Sequence, residues 1–180
     1  EREIKHFEKI IQNKSETKLL ITGNLNHPII SQNIASFIEN ILQAKLSDIG
    51  YHKDMGTHNR VIRIGKKVYL EVVAINPKIR NLNNRIWFNL DNPNLQSKLK
   101  KSPQIIGYVI ENNDISTLKY YDPFFEASRA NYKWQFAMPT SKNKIIDSEI
   151  INTGIIPSLI SWKSEKPVYK MKKNQFFSIY

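Results

Sequence analysis

The chain has no cysteine. It can therefore form no disulfide, offer no thiolate nucleophile and give no sulfur ligand to a metal. It also lacks a Gly-rich phosphate loop, a CxxC pair and a recognisable Ser-His-Asp arrangement. Those gaps remove the nucleotide-loop, redox and serine-hydrolase readings. No apolar stretch is long enough to span a bilayer. The opening residues, Glu1-Arg-Glu-Ile-Lys-His-Phe-Glu-Lys9, are charged and have no signal-peptide core. A cytoplasmic protein with no membrane segment fits these absences. Acids are also scarce, with 16 Asp and Glu against 27 Lys and Arg, a net charge of +11.

That excess invites a polyanionic partner. However, the basic residues are spread along the chain, and the densest group is Lys170, Lys172 and Lys173. Sequence-independent phosphate binding needs clustered charge, so the spread disfavours a nucleic-acid surface. At 180 residues the chain reads as one domain with a real core. Eight Phe, eight Tyr and three Trp argue against disorder.

Hydrophobic periodicity predicts the elements. Residues 1–16 read as a short helix, Lys18–Thr22 as a strand and Asn26–Ser31 as an extended piece. A helix over Asn33–Lys45 carries an apolar stripe of Ile34, Phe37, Ile38, Ile41 and Leu42. Strands near Asn59–Ile64 and Lys67–Ile75 flank a tight turn at Gly65-Lys66. Ile86-Trp87-Phe88 is a further strand candidate. The second half repeats the plan, with a strand at Gln104–Glu111, a helix at Asp114–Tyr121, a strand at Asn131–Pro139 and a last strand at Ile155–Trp162. Strand, helix and three strands, used twice, give an α+β fold.

The chemistry concentrates between His52 and Pro77. Glu71 lies among apolar residues in Val68-Tyr-Leu-Glu-Val-Val73. An acid inside a buried strand is costly unless something pairs with it. Alternation puts Tyr69, Glu71 and Val73 on one face and Val68, Leu70 and Val72 on the other, which is predicted to pack on the helix. Glu71 is then either a site carboxylate or an acid paired structurally with Arg60 or Arg63. His52 is either a ligand or substrate contact, or a loop histidine bonded to backbone. Thr57 and Asn59 can hydrogen-bond a substrate carbonyl or shape the turn. Gly56 reads as a backbone requirement, and His58 as a surface residue. Arg129 can grip a carboxylate or phosphate in two places, or form a surface salt bridge. Trp134 builds either a site wall or the core. His27, taken alone before Pro28, is a structural or surface histidine.

Several of these residues carry a family resemblance. His52-x-x-x-Gly56-Thr57-x-Asn59, followed by Tyr69-Leu70-Glu71, resembles the glyoxalase-like domain family of the vicinal oxygen chelate superfamily. Arg85-Ile86-Trp87-Phe88 with Asp91, then Ser128-Arg129-Ala130, Trp134, Pro139 and Gly154-Ile155-Ile156-Pro157-x-x-Ile160-x-Trp162, resemble its later segments. The similarity runs from about Leu25 to Pro167.

The resemblance implies paired βαβββ modules, whose curved mixed sheets enclose a cleft with helices outside. Module one would cover about 18–77, a linker 78–102 and module two 103–165, all in one domain. The resemblance also implies a small-molecule protein: a metal-assisted lyase, isomerase or dioxygenase, or alternatively a non-catalytic module that sequesters a ligand. Glu71 and His52 are then the catalytic candidates, with Thr57, Asn59, Arg129 and Trp134 contacting substrate. His27, His52 and Glu71 are the candidate metal ligands, since two histidines and a carboxylate suit iron(II) or zinc. The cofactor is a divalent metal (zinc, iron, manganese, nickel or magnesium) or none. A homodimer is compatible with the superfamily.

The departures are specific. The segment after His27 is about one residue short. Ile105, Ile106 and Val109 dominate the first strand of module two, with no ligand evident there. Lys166-Pro167 stands where the family shows His-Pro, and a further C-terminal piece found in relatives is expected to be missing.

Overall fold

A computed structural model describes residues 17–22, 28–78, 86–113, 121–140 and 156–171. The chain forms two compact units. The N-terminal unit is built chiefly from residues 20–65 and 70–106, and the C-terminal unit chiefly from 107–171. The expected helices over 1–16 and most of 114–121 lie outside the described residues, as does His27.

In the first half, β1 (Thr17–Thr22) precedes α1 (Pro28–Leu42), β2 (Gly50–His52), β3 (Thr57–Arg63) and β4 (Val68–Ile75). These strands lie in the order β2-β3-β4-β1. In the second half come β5 (Gln104–Glu111), β6 (Phe125–Arg129), β7 (Tyr132–Ala137) and β8 (Ser158–Trp162), in the order β6-β7-β8-β5. Each half therefore sets its first strand beside its last. The β5–β8 pair is parallel and the β7–β8 and β6–β7 pairs are antiparallel. This is the α+β class the order of elements predicts, with the mixed sheets the resemblance implies and no closed barrel among the described residues.

Helix α1 begins at Pro28, so most of the expected extended piece Asn26–Ser31 is helical. Proline suits a first helical turn, where its missing N–H costs nothing, and that local preference outweighs the β-branched Ile29 and Ile30. The buried face of α1 is also rotated from the expected stripe. Ile34, Ala35 and Ile38 are buried, while Phe37 and Ile41 are 54% and 58% exposed. Past Leu42 the backbone turns left-handed at Gln43, with φ 48°.

The hydrophobic pattern leaves four elements unannounced. They are β2, β6, α2 (Pro93–Leu99) and α3 (Pro167–Lys170). Both of these helices start with proline, and Asn92 caps α2 by accepting from the amides of Asn94 and Leu95. The Ile86-Trp87-Phe88 segment is not a strand. Trp87–Asn89 forms a 3-10 turn in which Phe88 (φ 57°, ψ 25°) and Asn89 (φ 55°) are both left-handed. For a residue with a Cβ that region costs roughly 1–2 kcal/mol. The turn is anchored by Trp87 at 3% exposure and by Leu90, which is fully buried.

Candidate functional site

The site grows from parity on two strands. On β3, Arg60 donates from Nη2 to Glu39 Oε1 of α1 at 3.1 Å. Its neighbour Asn59 must then point to the face turned away from α1. Asn59 Nδ2 donates to Glu71 Oε1 at 2.7 Å, which puts the acid on that same face. Glu71 is 1% exposed and Asn59 4%.

Arg60 and Arg63, the structural alternatives as partners of Glu71, both make contacts elsewhere. Arg60 also reaches the carbonyls of Leu46 and Ser47, and Arg63 Nε donates to the Gly65 carbonyl at 3.0 Å. Glu39 additionally accepts from Lys45 and from the Leu46 amide. Burial by itself raises the Glu39 carboxyl, but these donors and the Arg60 charge outweigh it and hold the group below its ordinary 4.5.

A second hydrogen-bonded pair lies next along β3. His52 ends β2 and its register partner is Thr57. The side chains meet, with His52 Nδ1 3.0 Å from Thr57 Oγ1. Thr57 is fully buried and His52 nearly so. A 3-10 turn over Lys53–Met55 links β2 to β3 through Gly56, whose φ of 64° explains the glycine. The Gly56 carbonyl accepts from the Asn76 amide at 2.8 Å, tying this turn to the end of β4. Thr57 and Asn59 are two residues apart, so the two dyads sit side by side.

Trp87 completes this group, although its sequence reads as strand. Its ring centroid is 4.9 Å from that of His52, with the planes at 86°. No pattern in the chain announces that contact, because it joins residues 35 positions apart through an irregular turn. His58 points to the other face of β3. It is half-buried rather than fully surface, and burial lowers its pKa from 6.5.

Arg129 and Trp134 belong to the C-terminal unit. Arg129 is half-buried at the end of β6, in register with Tyr132. Trp134 is 6% exposed and pairs with Trp162 across β7 and β8, with ring centroids 5.6 Å apart. Among the described residues, neither indole N–H of that pair meets a hydrogen-bond acceptor.

The first strand of module two does carry an acid. Glu111 ends β5, and its carboxylate accepts from Lys166 at 2.6 Å. The apolar neighbours on that strand hide it from a pattern search. Lys166, which stands at the expected histidine, supplies the matching charge.

Among the described residues, no cluster of three His, Asp or Glu side chains could hold a metal ion. His52 and Glu71 supply one imidazole and one carboxylate, short of a three-ligand centre, and His27 lies outside the described residues.

A glyoxalase-like domain model matches residues 32–178. The chain belongs to the glyoxalase-like domain family. No curated protein sequence matches it. Solved structures share the glyoxalase-like fold at low identity. One is a Streptomyces coelicolor methylmalonyl-CoA epimerase variant in complex with 2-nitronate-propionyl-CoA. It has TM-score 0.50 and 9% identity, over 82% of this chain and 96% of that chain. A methylmalonyl-CoA epimerase from Mycobacterium tuberculosis gives TM-score 0.45 and 10% identity, over 85% and 89%.

Proposed function

We propose that this glyoxalase-like protein is an isomerase of the epimerase type, moving a proton on a carbon next to a carbonyl. The observation that carries the reading is the buried Glu71 carboxylate, held in one orientation by the Asn59 amide. A carboxylate in a water-poor site is a strong general base once substrate has entered. Glu71 would take the α-proton, and the C–H electron pair would move onto the carbonyl oxygen. Asn59 keeps the receiving oxygen aimed. His52, oriented by Thr57, would deliver a proton to the carbon as the pair returns from the oxygen to form the new C–H bond, and solvent would then carry the proton from Glu71 back to His52. Proton removal and return balance, so the product is an isomer.

Thr57 and Asn59 remain proposed contacts for the substrate carbonyl. Within the C-terminal unit, and as a separate proposal, Arg129 would hold an anionic group and Trp134 an acceptor atom at its indole N–H. A divalent metal would take His27, His52 and Glu71 as its ligands. The described residues supply too few ligands for one, and no step above runs through it.

The test is solvent exchange. The protein is incubated in heavy water with a panel of 2-substituted acyl thioesters and 2-keto acids, and α-deuteration is followed by NMR. Deuteration by the native chain and a loss of about 100-fold or more in Glu71→Gln are expected. Equal rates in both overturn the proposal. Tight ligand binding with no deuteration would favour the sequestering module instead. Elemental analysis of the native protein and Glu71→Gln tests the metal.

A further inference from the structure

We infer that Lys166–Lys170 is a strap over a second ligand site, where the indole N–H groups of Trp134 and Trp162 receive an apolar carboxylate once the strap lifts. The inference rests on the proposed reading of Trp134 and Arg129 as ligand contacts, and not on Glu71. Strand register defines the face. Trp134 on β7 is opposite Trp162 on β8, and Arg129 on β6 is opposite Tyr132. Residues in register share a face, as do residues two apart on one strand. Arg129, Tyr132, Trp134 and Trp162 therefore lie together. Glu111 on β5 is in register with Ile160, two residues before Trp162, and joins them. Ile110, Ala137 and Leu159 have the opposite parity and form a core cluster.

The segment after β8 crosses the indole face. Lys166 Nζ meets Glu111 Oε2 of β5 at 2.6 Å. Lys170 Nζ lies 5.9 Å from the centroid of the Tyr132 ring of β7. Strand β8 runs between β5 and β7. A segment tied to both neighbours of β8 on one face passes over β8. Val168, between the ties, is fully buried. On this covered face both indole nitrogens are buried, and among the described residues neither has a hydrogen-bond partner. Buried donors without acceptors are costly, so the pair favours a group that brings acceptors. A guanidinium carries five N–H donors, so Arg129 can hold a carboxylate beside another partner. The aromatic rings around these donors suit an apolar body. The strap is lightly built. Its helix α3 has four residues, too few to be stable alone, and the Lys170 side chain is 54% exposed. Such segments open locally without global unfolding.

The test uses the full chain labelled with nitrogen-15 tryptophan, whose three indole N–H signals are assigned with single Trp→Phe variants. The probe is 3-phenylpropionate, and 3-phenylpropanamide is its uncharged counterpart. The acid is expected to move the Trp134 and Trp162 signals saturably. The amide is expected to bind about tenfold more weakly, because bonds to a carboxylate are charge-assisted. Glu111→Gln and Lys166→Met each cut one tie, so both are expected to speed solvent exchange of these two indole N–H groups about threefold or more. A change of charge alone would move exchange in opposite senses in the two variants. Circular dichroism checks that each is folded. Unmoved indole signals, or equal binding of acid and amide, overturn the inference. So does exchange that is unchanged, or oppositely changed, in the two folded variants. Should neither variant fold, the native titration decides, with saturable movement of both signals supporting the inference and its absence overturning it. Moving signals with unchanged exchange would remove the strap and leave the contact reading standing, so the two fail separately. The deuteration test with Glu71→Gln concerns the other unit and leaves these readouts intact.

Discussion

Asn59 donates its amide N–H to the Glu71 carboxylate at 2.7 Å, joining β3 to β4 beneath a surface that leaves Glu71 1% exposed. An amide can steer a carboxylate without neutralising it. Glu39, on α1, is held instead by Lys45 and by Arg60 from the other face of β3.

Replacing Asn59 with Ala should cost about 2 kcal/mol of folding stability, the usual range for a hydrogen bond to a charged group. Urea unfolding of Asn59→Ala against the native chain measures it. The same substitution should also slow α-deuteration, because Glu71 loses a contact that aims it. A variant as stable as the native protein would show that the bond contributes little.

Acid should expose the Glu39 network. Its carboxyl titrates below the ordinary 4.5 in the folded state, so its contribution is complete above that value. The contribution is lost as pH falls through the lowered folded value. Glu39→Gln should therefore be less stable than the native chain by about 2 kcal/mol near neutral pH. The gap should close in strong acid. Unfolding midpoints measured from pH 7 down to pH 3 test this, and a constant gap would contradict it.

His58 behaves in the same sense around a different pH. Burial holds its pKa below 6.5 in the folded protein. The neutral ring is favoured there, so its contribution is present above 6.5 and lost as pH falls through the folded value. NMR should place the His58 midpoint below 6.5, and His58→Gln should flatten the stability profile in that window. A midpoint above 6.5 would reverse the assignment.

Gly56 should resist substitution. Its φ of 64° lies where a Cβ is disfavoured. Gly56→Ala should lose about 1–2 kcal/mol, and Gly56→Asn less, since asparagine tolerates that region better. Thermal unfolding of both variants decides the order.

Much of the first half was legible before any coordinates. Strand alternation in Val68–Val73 sets Glu71 apart from Leu70 and Val72, and the Gly56-Thr57-x-Asn59 spacing marks the turn and its hydrogen-bonding residues. These are local signals, because period and turn chemistry act over a few residues. The errors also have local causes. Pro28 starts a helix that β-branched neighbours obscure, and three apolar residues at 86–88 imitate a strand. Glu111 does not stand out as a site residue, because a single acid closing an apolar strand leaves no periodic trace.

The sequence by itself determined that the chain lacks thiol chemistry, that it carries two runs of strand-forming residues in similar order, and that one acid lies in a buried strand. What meets that acid is a matter of how the strands and helix pack. Asn59 donates to it, while the opposite strand parity sends Arg60 to α1. Likewise Trp87 reaches His52 across 35 residues through two left-handed residues that no pattern encodes. Periodicity fixes which side of a strand a residue occupies, whereas the partner across that side is set by how distant segments pack.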